Sequence, residues 1–274
     1  HDALPIYLSL LIQRQAKKYG ERVALKYRDY ATSTWIPVSW NQFSEKVSKV
    51  SRALVALGMQ AQENIGVFSQ NKPECLYTDF GAFGVRAVTV PLYATSSEAQ
   101  VHYILQDAAI RFLFVGEQYQ YDVASRVQNL CHTLKRIIVF DSSVKLAPGD
   151  TNSLCYEDFL ALGDNMELQQ QVDKLTAESS PQDLANILYT SGTTGESKGV
   201  MLHHSCYEAA FKAHHGRLTT LGEQDVVMNF LPFTHIFERA WSYYCLDRGC
   251  VLCINLRPQD IQKTIKEVRP TAMC

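Results

Sequence analysis

Long apolar runs are missing from this sequence of 274 residues, and so is a surplus of charge of either sign. No stretch approaches the roughly 18–20 apolar residues that span a bilayer, and no secretory signal peptide is visible. The 26 basic and 28 acidic side chains leave a net charge of −2, which provides no field to attract nucleic acid or anionic lipid. We therefore expect a protein that neither spans a membrane nor binds nucleic acid.

Paired cysteine motifs are almost absent as well. Eight cysteines are scattered at irregular spacing, whereas a disulfide scaffold would be small and dense in cysteine. One C-x-x-C, from Cys250 to Cys253, falls in an apolar stretch that predicts a buried strand, and neither a second such pair nor paired histidines lie nearby. We expect reduced thiols in a cytoplasmic protein, and neither a zinc site nor a redox centre.

The hydrophobic residues, 46% of the total, are sufficient for a continuous core, which excludes general disorder. Short apolar runs rich in β-branched residues alternate with amphipathic segments, and such unbroken runs are typical of strands covered on both faces. The predicted strands are Ile65–Phe68, Ala87–Leu92, Ile110–Val115, Arg136–Phe140, Asn186–Tyr189, Gly199–Leu202, Val226–Leu231 and Cys250–Leu256. The alternation predicts an α/β fold of layered, mostly parallel sheets with helices on both faces.

Helical segments lie between these strands, and the first has clear start and stop signals. Ser39 and Gln42 form a capping-box pattern ahead of apolar residues at helical spacing, and Gly58 ends the segment. The other predicted helices are Pro73–Phe83, Ser97–Asp107, Gln118–Cys131, His204–Arg217, His235–Leu246 and Pro258–Val268. Before the first helix, Arg22–Tyr27 and Thr34–Val38 predict an antiparallel pair of strands.

The pattern is weakest at residues 141–181, where turn residues and a polar helix around Asn165–Leu175 replace the strand–helix alternation. We predict that this segment links a first α/β lobe at about 40–140 to a second lobe at 182–274. The chain starts at His1 rather than Met and stops at Cys274, within what looks like the beginning of a strand. We expect both ends to be cut.

One segment concentrates polar chemistry: the nine residues from Thr190 to Lys198 hold five hydroxyl side chains, two glycines and one lysine. Glycines allow backbone conformations in which consecutive N–H groups form an anion-binding concavity. Hydroxyls reach phosphate oxygens or ligate Mg²⁺, and Lys198 adds a charge whose contacts are each worth about 1.5–3 kcal/mol. The composition predicts a polyphosphate-binding loop made of Thr190, Ser191, Gly192, Thr193, Thr194, Gly195 and Lys198.

The spacing excludes two common phosphate-binding loops. A Walker loop has two glycines five residues apart, a lysine directly after the second, and then a helix. Here Gly192 and Gly195 are three apart, Lys198 is three further on, and Gly199–Leu202 predicts a strand. A dinucleotide-binding G-x-G-x-x-G is absent too. On composition alone, the alternative is a flexible surface turn.

The segment Tyr189-Thr-Ser-Gly-Thr-Thr-Gly-Glu-Ser-Lys-Gly199 resembles the AMP-binding signature of the adenylate-forming superfamily. The resemblance implies that a carboxylate attacks the α-phosphate of ATP, giving an acyl-adenylate and pyrophosphate, and that the thiol of coenzyme A then takes the acyl group. The loop would hold the β- and γ-phosphates, and Thr190 would be a Mg²⁺ ligand. Such a loop stabilises the charge on the separating phosphates.

A second segment narrows the substrate class. Leu231-Pro-Phe-Thr-His-Ile-Phe-Glu-Arg-Ala-Trp241 is similar to the Leu-Pro-x-x-His-x-Phe-Glu-Arg stretch of long-chain fatty acid–CoA ligases. The similarity implies that His235 lies near the acyl-adenylate. A helix N-terminus favours the neutral imidazole, so His235 would orient substrate by hydrogen bonding rather than act as a cation. The alternative is that His235 and Glu238 merely pair at a helix start.

Four other histidines occur as the adjacent pairs His203-His204 and His214-His215. Neighbouring residues on a helix do not converge on one metal ion. His204 and His215 also lack the i, i+4 spacing of a zinc-binding helix. We interpret all four as helix-cap or surface residues.

The resemblance covers the chain as an incomplete N-terminal AMP-binding domain, 1–274. Members of the superfamily continue into a glutamate that completes the Mg²⁺ site, an aspartate that binds the ribose, and a C-terminal domain with a catalytic lysine. No Tyr-Gly-x-Thr-Glu sequence follows Leu256, so we expect the C-terminal domain to be missing and no catalytic set to be complete. This chain alone would then catalyse little or no adenylation.

The implied partners are a fatty acid, ATP and coenzyme A, with Mg²⁺ as the metal ion. Peripheral contact with a membrane is left open, although no basic amphipathic helix argues for it. Two alternatives also remain: a ligase for aryl or shorter-chain acids, and a non-catalytic module that binds a nucleotide or an acyl group.

Overall fold

Two mostly parallel sheets and the helices packed on them make up the fold. The computed structural model describes residues 8–190 and 197–274. Its strands are β1 (Val23–Asp29), β2 (Thr34–Ser39), β3 (Asn64–Phe68), β4 (Val88–Leu92), β5 (Phe112–Val115), β6 (Arg136–Val139), β7 (Ser153–Cys155), β8 (Leu184–Thr190), β9 (Lys198–His203), β10 (Val226–Asn229) and β11 (Val251–Ile254). Its helices are α1 (Leu8–Tyr19), α2 (Trp40–Ala56), α3 (Pro73–Gly84), α4 (Glu98–Asp107), α5 (Gln118–Val127), α6 (Tyr156–Leu162), α7 (Gln169–Ala177), α8 (His204–His215), α9 (Ile236–Asp247) and α10 (Ile261–Val268).

The strands form one sheet in the order β7-β6-β5-β3-β4-β8-β9 and another in the order β10-β11-β1-β2. In the larger sheet, neighbours are parallel up to β8, and β9 joins the edge antiparallel to β8. In the smaller sheet, β10, β11 and β1 are parallel, and β1 pairs antiparallel with β2 as predicted. The prediction of an α/β fold with mostly parallel sheets is confirmed.

The larger sheet is covered on both faces, and its buried side chains belong to two separate cores. Along β5, Phe112 and Phe114 belong to the core that also contains α2 and α3. Leu113 and Val115 belong to the core that contains α4 and α5. Each buried phenylalanine side chain contributes about 1.5–3 kcal/mol. Coverage by helices on both faces explains why the strand sequences are unbroken apolar runs.

The predicted start and stop of α2 are both confirmed. Ser39 Oγ accepts a hydrogen bond from the N–H of Gln42 (3.2 Å), and Gln42 Oε1 accepts one from the N–H of Ser39 (2.9 Å). After the helix, Gly58 has a φ of +76°, a left-handed conformation that glycine adopts without steric cost. Local sequence therefore determines where this helix begins and ends.

Three of these helices and strands, α1, β7 and α6, were not predicted. The helix α1 precedes the first predicted strand, and β7 and α6 lie inside residues 141–181. The strand β7 has three residues and α6 has seven, too few for a hydrophobic period to be recognised. The larger sheet contains strands from both sides of residues 141–181 and β7 from within them. The division into two lobes and a linker stays a prediction.

The cysteines form no disulfide, and two of them are buried at the strand predicted to contain them. All eight cysteines are free thiols, and Cys250 and Cys253 are buried at β11. Among the described residues, no group of three or more histidine, cysteine or acidic side chains could hold a metal ion. In residues 8–190 and 197–274, no helix is long and apolar enough to cross a membrane.

Gly163, directly after α6, lies against the backbone of α2. A Cβ atom at this position would lie 2.1 Å from the carbonyl oxygen of Lys49, so Gly163→Ala must push α6 away from α2. We expect a loss of about 1–3 kcal/mol in the free energy of unfolding, measured by urea denaturation. The matched control is Gly216→Ala, after α8, where the nearest atom is 3.8 Å away. Equal stability of the two variants would contradict the close approach.

Candidate functional site

The carboxyl ends of strands from both sheets meet around a cavity of about 330 Å³. The segments that follow β3, β4 and β5 contribute one part of its wall, and those that follow β10 and β11 contribute the other. The lining residues are Ser69, Gln70, Asn71, Tyr93, Ala94, Thr95, Tyr119, Gln120, Phe230, Pro232, Thr234, Asn255, Leu256 and Pro258. Because ligands of α/β proteins bind beyond the carboxyl ends of the strands, this cavity is the candidate ligand site.

The cavity wall combines apolar surface with two polar atoms that lack partners. Tyr93, Phe230 and Leu256 supply apolar surface. Gln70 Oε1 and Thr234 Oγ1 are buried without a hydrogen-bond partner among the described residues. Leaving a buried polar atom unpaired costs about 1–3 kcal/mol, so both atoms are available to a ligand. The lining suits an apolar group that carries a polar end.

The predicted polyphosphate loop begins at the same edge of the larger sheet. The strand β8 is parallel to β4, with Asn186 beside Thr89, so Thr190 ends β8 at the edge where Tyr93 follows β4. Thr190 and Lys198 are ladder partners in the antiparallel pair β8–β9, and both residues are exposed. The strand pair therefore holds the two ends of the loop opposite each other.

The interior of this loop cannot be compared with the prediction. Ser191, Gly192, Thr193, Thr194 and Gly195 lie outside the described residues. The described residues at the end of the loop agree with the exclusion of a Walker loop. The chain continues from Lys198 as the strand β9, whereas a Walker loop would continue into a helix.

Thr190 could bind Mg²⁺ because it has a hydroxyl group and is exposed at the end of β8. Mg²⁺ usually keeps several waters and binds to substrate phosphates together with one or two protein oxygens. A single hydroxyl beside a phosphate loop is compatible with that preference. The role of Thr190 as a Mg²⁺ ligand stays a prediction.

His235 caps the N-terminus of α9, on the turn that connects β10 to this helix. Its Nδ1 accepts a hydrogen bond from the N–H of Phe237 (3.3 Å), so the proton of the neutral ring lies on Nε2. His235 is exposed, while its neighbours Pro232 and Thr234 line the cavity. The helix-start position of His235 agrees with the sequence prediction, and its contact with an acyl-adenylate stays a prediction.

Glu238 does not pair with His235 in the described structure. Its side chain is fully buried, and Oε2 accepts hydrogen bonds from the N–H groups of Phe230 (3.3 Å) and Leu231 (3.0 Å). Its other oxygen accepts one from Ser242 Oγ (3.1 Å). The alternative in which His235 and Glu238 merely pair at a helix start is therefore wrong, since Glu238 binds the backbone of the preceding turn.

The sequence analysis assigned no role to Arg239, which is 1% exposed. Its Nε donates to the carbonyl of Phe233 (2.7 Å), and its Nη1 donates to Asp79 Oδ2 (2.5 Å) and to Tyr243 Oη (2.6 Å). Burial lowers the pKa of the Arg239 guanidinium, but Asp79 and Tyr243 more than offset this effect and leave the pKa above its ordinary value. Arg239 is therefore a permanent cation that connects α9, α3 and the turn before His235.

Asn71 was missed as well, and it contacts the same turn from the side of the larger sheet. Its amide hydrogen-bonds to Asn229, Leu231 and Phe233. These residues are 158 to 162 positions away along the chain, so no local pattern could reveal the contact. The available signal was weak: a polar residue three positions after a buried strand and two positions before a proline-initiated helix.

One histidine interpretation needs correction. His203 is the N-cap residue of α8 and is half-buried, as expected of a cap. His204, however, is 6% exposed and packs edge-to-face on Phe83, with ring centroids 5.2 Å apart. The backbone N–H of His204 donates to the carbonyl of Asp183 (3.0 Å), and the ring lies in the interior against α3. His204 is therefore a core residue.

His204 is expected to reduce stability in mild acid. Burial lowers the pKa of His204 from its ordinary value of 6.5 to about 4, with Asp183 opposing the shift and His203 adding to it. Between these two values the unfolded chain binds a proton that the folded chain does not, so stability falls as the pH falls. The expected loss between pH 7 and pH 5 is about 2 kcal/mol.

Urea unfolding at both pH values tests this expectation, with the loss of stability between pH 7 and pH 5 as the measured quantity. His204→Gln should remove the contribution of this histidine, whereas His203→Gln, at the neighbouring cap position, should retain it. An identical pH dependence in the wild-type protein and in His204→Gln would contradict the assignment.

Comparison with known proteins agrees with the fold. Residues 12–274 match the AMP-binding enzyme family. The chain is 28% identical to the long-chain-fatty-acid–CoA ligase ACSBG2 of Xenopus laevis, over 98% of this chain and 36% of that protein. It is 30% identical to fatty acyl-CoA synthetase A of Dictyostelium discoideum, over 86% of this chain and 35% of that protein. The chain thus spans little more than a third of the length of these relatives.

A solved structure of similar fold is the anthranilate CoA ligase AuaEII in complex with anthranoyl-AMP. The two structures superpose with a TM-score of 0.84 over 98% of this chain and 50% of the other, at 21% sequence identity. At this identity the likeness concerns the fold. Since the family match covers nearly the whole chain, the protein belongs to the AMP-binding enzyme family.

Proposed function

We propose that this chain is the N-terminal part of an ATP-dependent long-chain fatty acid–CoA ligase. The observation that carries the proposal is the combination of family membership with the Leu231–Arg239 segment, whose histidine caps a helix beside an apolar cavity. The name of the Xenopus laevis relative supports a long-chain acid as substrate, and the name of the Dictyostelium discoideum relative supports a fatty acid. A cytoplasmic location belongs to the same proposal.

In this proposal the phosphate loop binds the part of ATP that leaves. The carboxylate oxygen of the acid forms a bond to the α-phosphorus, the bond to the bridging oxygen breaks, and pyrophosphate leaves with that electron pair. Lys198 and the hydroxyls and N–H groups of residues 190–195 bind the β- and γ-phosphates, where negative charge grows. Mg²⁺, when bound, neutralises part of this charge, and Thr190 supplies one oxygen to it. Coenzyme A then takes the acyl group through its thiol.

The cavity and His235 act on the acid in this proposal. The apolar wall around Tyr93 and Phe230 receives part of the acyl chain, and Thr234 Oγ1 supplies a hydrogen bond that no described residue takes up. The exposed Nε2–H of His235 donates to an oxygen of the substrate carboxylate or of the acyl-adenylate. These contacts orient the carboxylate for attack on the α-phosphate.

The test is ATP–pyrophosphate exchange by the full-length protein, with carboxylic acids of increasing chain length. Exchange that depends on long-chain acids, followed by formation of the acyl thioester when coenzyme A is added, is the expected result; the long-chain class comes from the name of the Xenopus laevis relative. No exchange with any carboxylate would overturn the proposal. The 274-residue chain alone is expected to support little or no exchange.

A ligase for aryl or shorter-chain acids is a second candidate, since the anthranilate CoA ligase has a similar fold. The same exchange assay distinguishes the two, because maximal exchange with benzoate-like or short acids would favour the second candidate. A third candidate, a non-catalytic module that binds a nucleotide or an acyl group, predicts binding of ATP or fatty acid without exchange.

A further inference from the structure

Asn71 connects the two sheets at the edge where the cavity lies. It follows β3 of the larger sheet and is 7% exposed, yet all its side-chain partners belong to the segment that follows or ends β10 of the smaller sheet. Asn71 Nδ2 donates to Asn229 Oδ1 (2.9 Å) and to the carbonyl of Leu231 (2.7 Å). Asn71 Oδ1 accepts from the N–H of Phe233 (2.9 Å).

The same turn, residues 230–235, is held from the other side by α9. Glu238 accepts hydrogen bonds from the N–H groups of Phe230 and Leu231, and Arg239 donates to the carbonyl of Phe233. Buried side chains therefore occupy five backbone polar groups within four consecutive residues. Displacing the turn would leave several buried polar groups unpaired, each at a cost of about 1–3 kcal/mol.

The turn carries groups with direct access to the candidate site. Phe230, Pro232 and Thr234 line the cavity, and His235 follows directly. Asn71 lines the opposite part of the same cavity. One side chain thus sets the spacing between the segment after β3 and the turn that ends in His235.

We propose that Asn71 is a positioning residue for His235 in the adenylation step, and that it acts through the backbone of Leu231 and Phe233. The inference rests on the proposed ligase function, because only there does His235 orient a substrate. Glu238 and Arg239 support the turn from its own helix, whereas Asn71 aligns it with the opposite cavity wall. A displacement of about 1 Å in such a group lowers a catalytic rate by about 10²-fold.

Asn71→Asp tests the role of the amide with almost no change in shape. The variant keeps an oxygen that accepts from Phe233 and loses the donor to Leu231 and Asn229. The matched control is Asn64→Asp, at the opposite end of β3, where Nδ2 donates to the carbonyl of Ala108 (2.5 Å). Both variants lose an amide donor to a backbone carbonyl, but only Asn71 contacts the turn.

The activity readout is a double-mutant cycle with His235→Ala, measured as kcat of ATP–pyrophosphate exchange in the full-length protein. Asn71→Asp should lower kcat by about 10²-fold with an unchanged KM for ATP, and Asn64→Asp should leave kcat unchanged. In the His235→Ala background, Asn71→Asp should cause no further loss, because its effect passes through the histidine. Additive losses, or equal losses in both asparagine variants, would overturn the proposal.

A readout that does not need activity separates this proposal from the proposed function. The ¹⁵N chemical shifts of the His235 ring, assigned by their loss in His235→Ala, should change in Asn71→Asp and stay unchanged in Asn64→Asp. Unchanged ring shifts in Asn71→Asp would overturn the positioning role even if the protein activates no carboxylate. A wild-type protein without exchange would overturn the ligase function and, with it, the catalytic use of the positioned histidine.

Discussion

Asp79→Ala is expected to lower the free energy of unfolding by about 3–5 kcal/mol. Asp79 and Arg239 form an ion pair in which each side chain is 1% exposed, and Tyr243 also donates to Asp79 Oδ2 (2.7 Å). The variant leaves the Arg239 cation buried without its counter-charge, and removes the acceptor of two hydrogen bonds. Total stabilities are about 5–15 kcal/mol, so this one change removes a large part of the margin.

Urea denaturation of the full-length protein measures this loss, and two variants serve as controls. Glu98→Ala breaks an exposed ion pair, in which the side chain of Glu98 is 51% exposed and that of Arg126 is 53% exposed. This variant should change stability by less than about 1 kcal/mol. Replacing both members of the buried pair by apolar residues, as Asp79→Leu with Arg239→Met, should cost less than Asp79→Ala, since no unpaired charge remains. Equal stability of Asp79→Ala and Glu98→Ala would contradict this account.

Lys198→Ala is expected to lower kcat of carboxylate-dependent ATP–pyrophosphate exchange by about 10²–10³-fold in the full-length protein. The expected cause is the loss of a charge aimed at the phosphates that separate in the proposed reaction. The backbone of Lys198 pairs with Thr190 in the β8–β9 ladder, and its side chain is exposed. The substitution should therefore leave the strand pair intact and act on the reaction alone.

The control for Lys198→Ala is Lys212→Ala, on α8. Lys212 is also exposed and pairs with Glu208 of its own helix (2.7 Å), so its loss should leave kcat unchanged. Lys198→Arg should recover part of the lost rate, because it restores the charge but not the shape of the ammonium group. Full activity of Lys198→Ala would exclude Lys198 from the phosphate site.

Most of the fold was predictable because its determinants are local. The apolar runs predicted eight of the strands near their observed positions, and the capping box at Ser39 predicted the start of α2. The signals for β7, α6 and α1 were too short or lacked a strand–helix context. How β10 and β11 join β1 and β2 in a separate sheet was not predictable, because parallel pairing between segments some two hundred residues apart leaves no local pattern.

The candidate site was predictable where its residues are adjacent in sequence. Thr190, Lys198 and His235 were predicted from short segments, and Thr190 and Lys198, at the two ends of the predicted loop, lie as ladder partners in the structure. Asn71 and Asp79 were missed because their contacts lie about 160 residues away. Glu238 and Arg239 lie in the Leu231–Trp241 segment, which the sequence analysis identified by its resemblance. Whether their side chains face solvent or the core depends on which side of α9 is covered.

The sequence by itself determined the α/β class, the cap of α2 and the family resemblance, and it predicted the polyphosphate loop, because each depends on residues within one or two turns or strands. Only the tertiary structure decided the two-sheet topology, the buried position of His204 and the support of the His235 turn by Asn71, Glu238 and Arg239. The physical reason is that burial and hydrogen bonding of these polar side chains depend on partners brought together by chain folding.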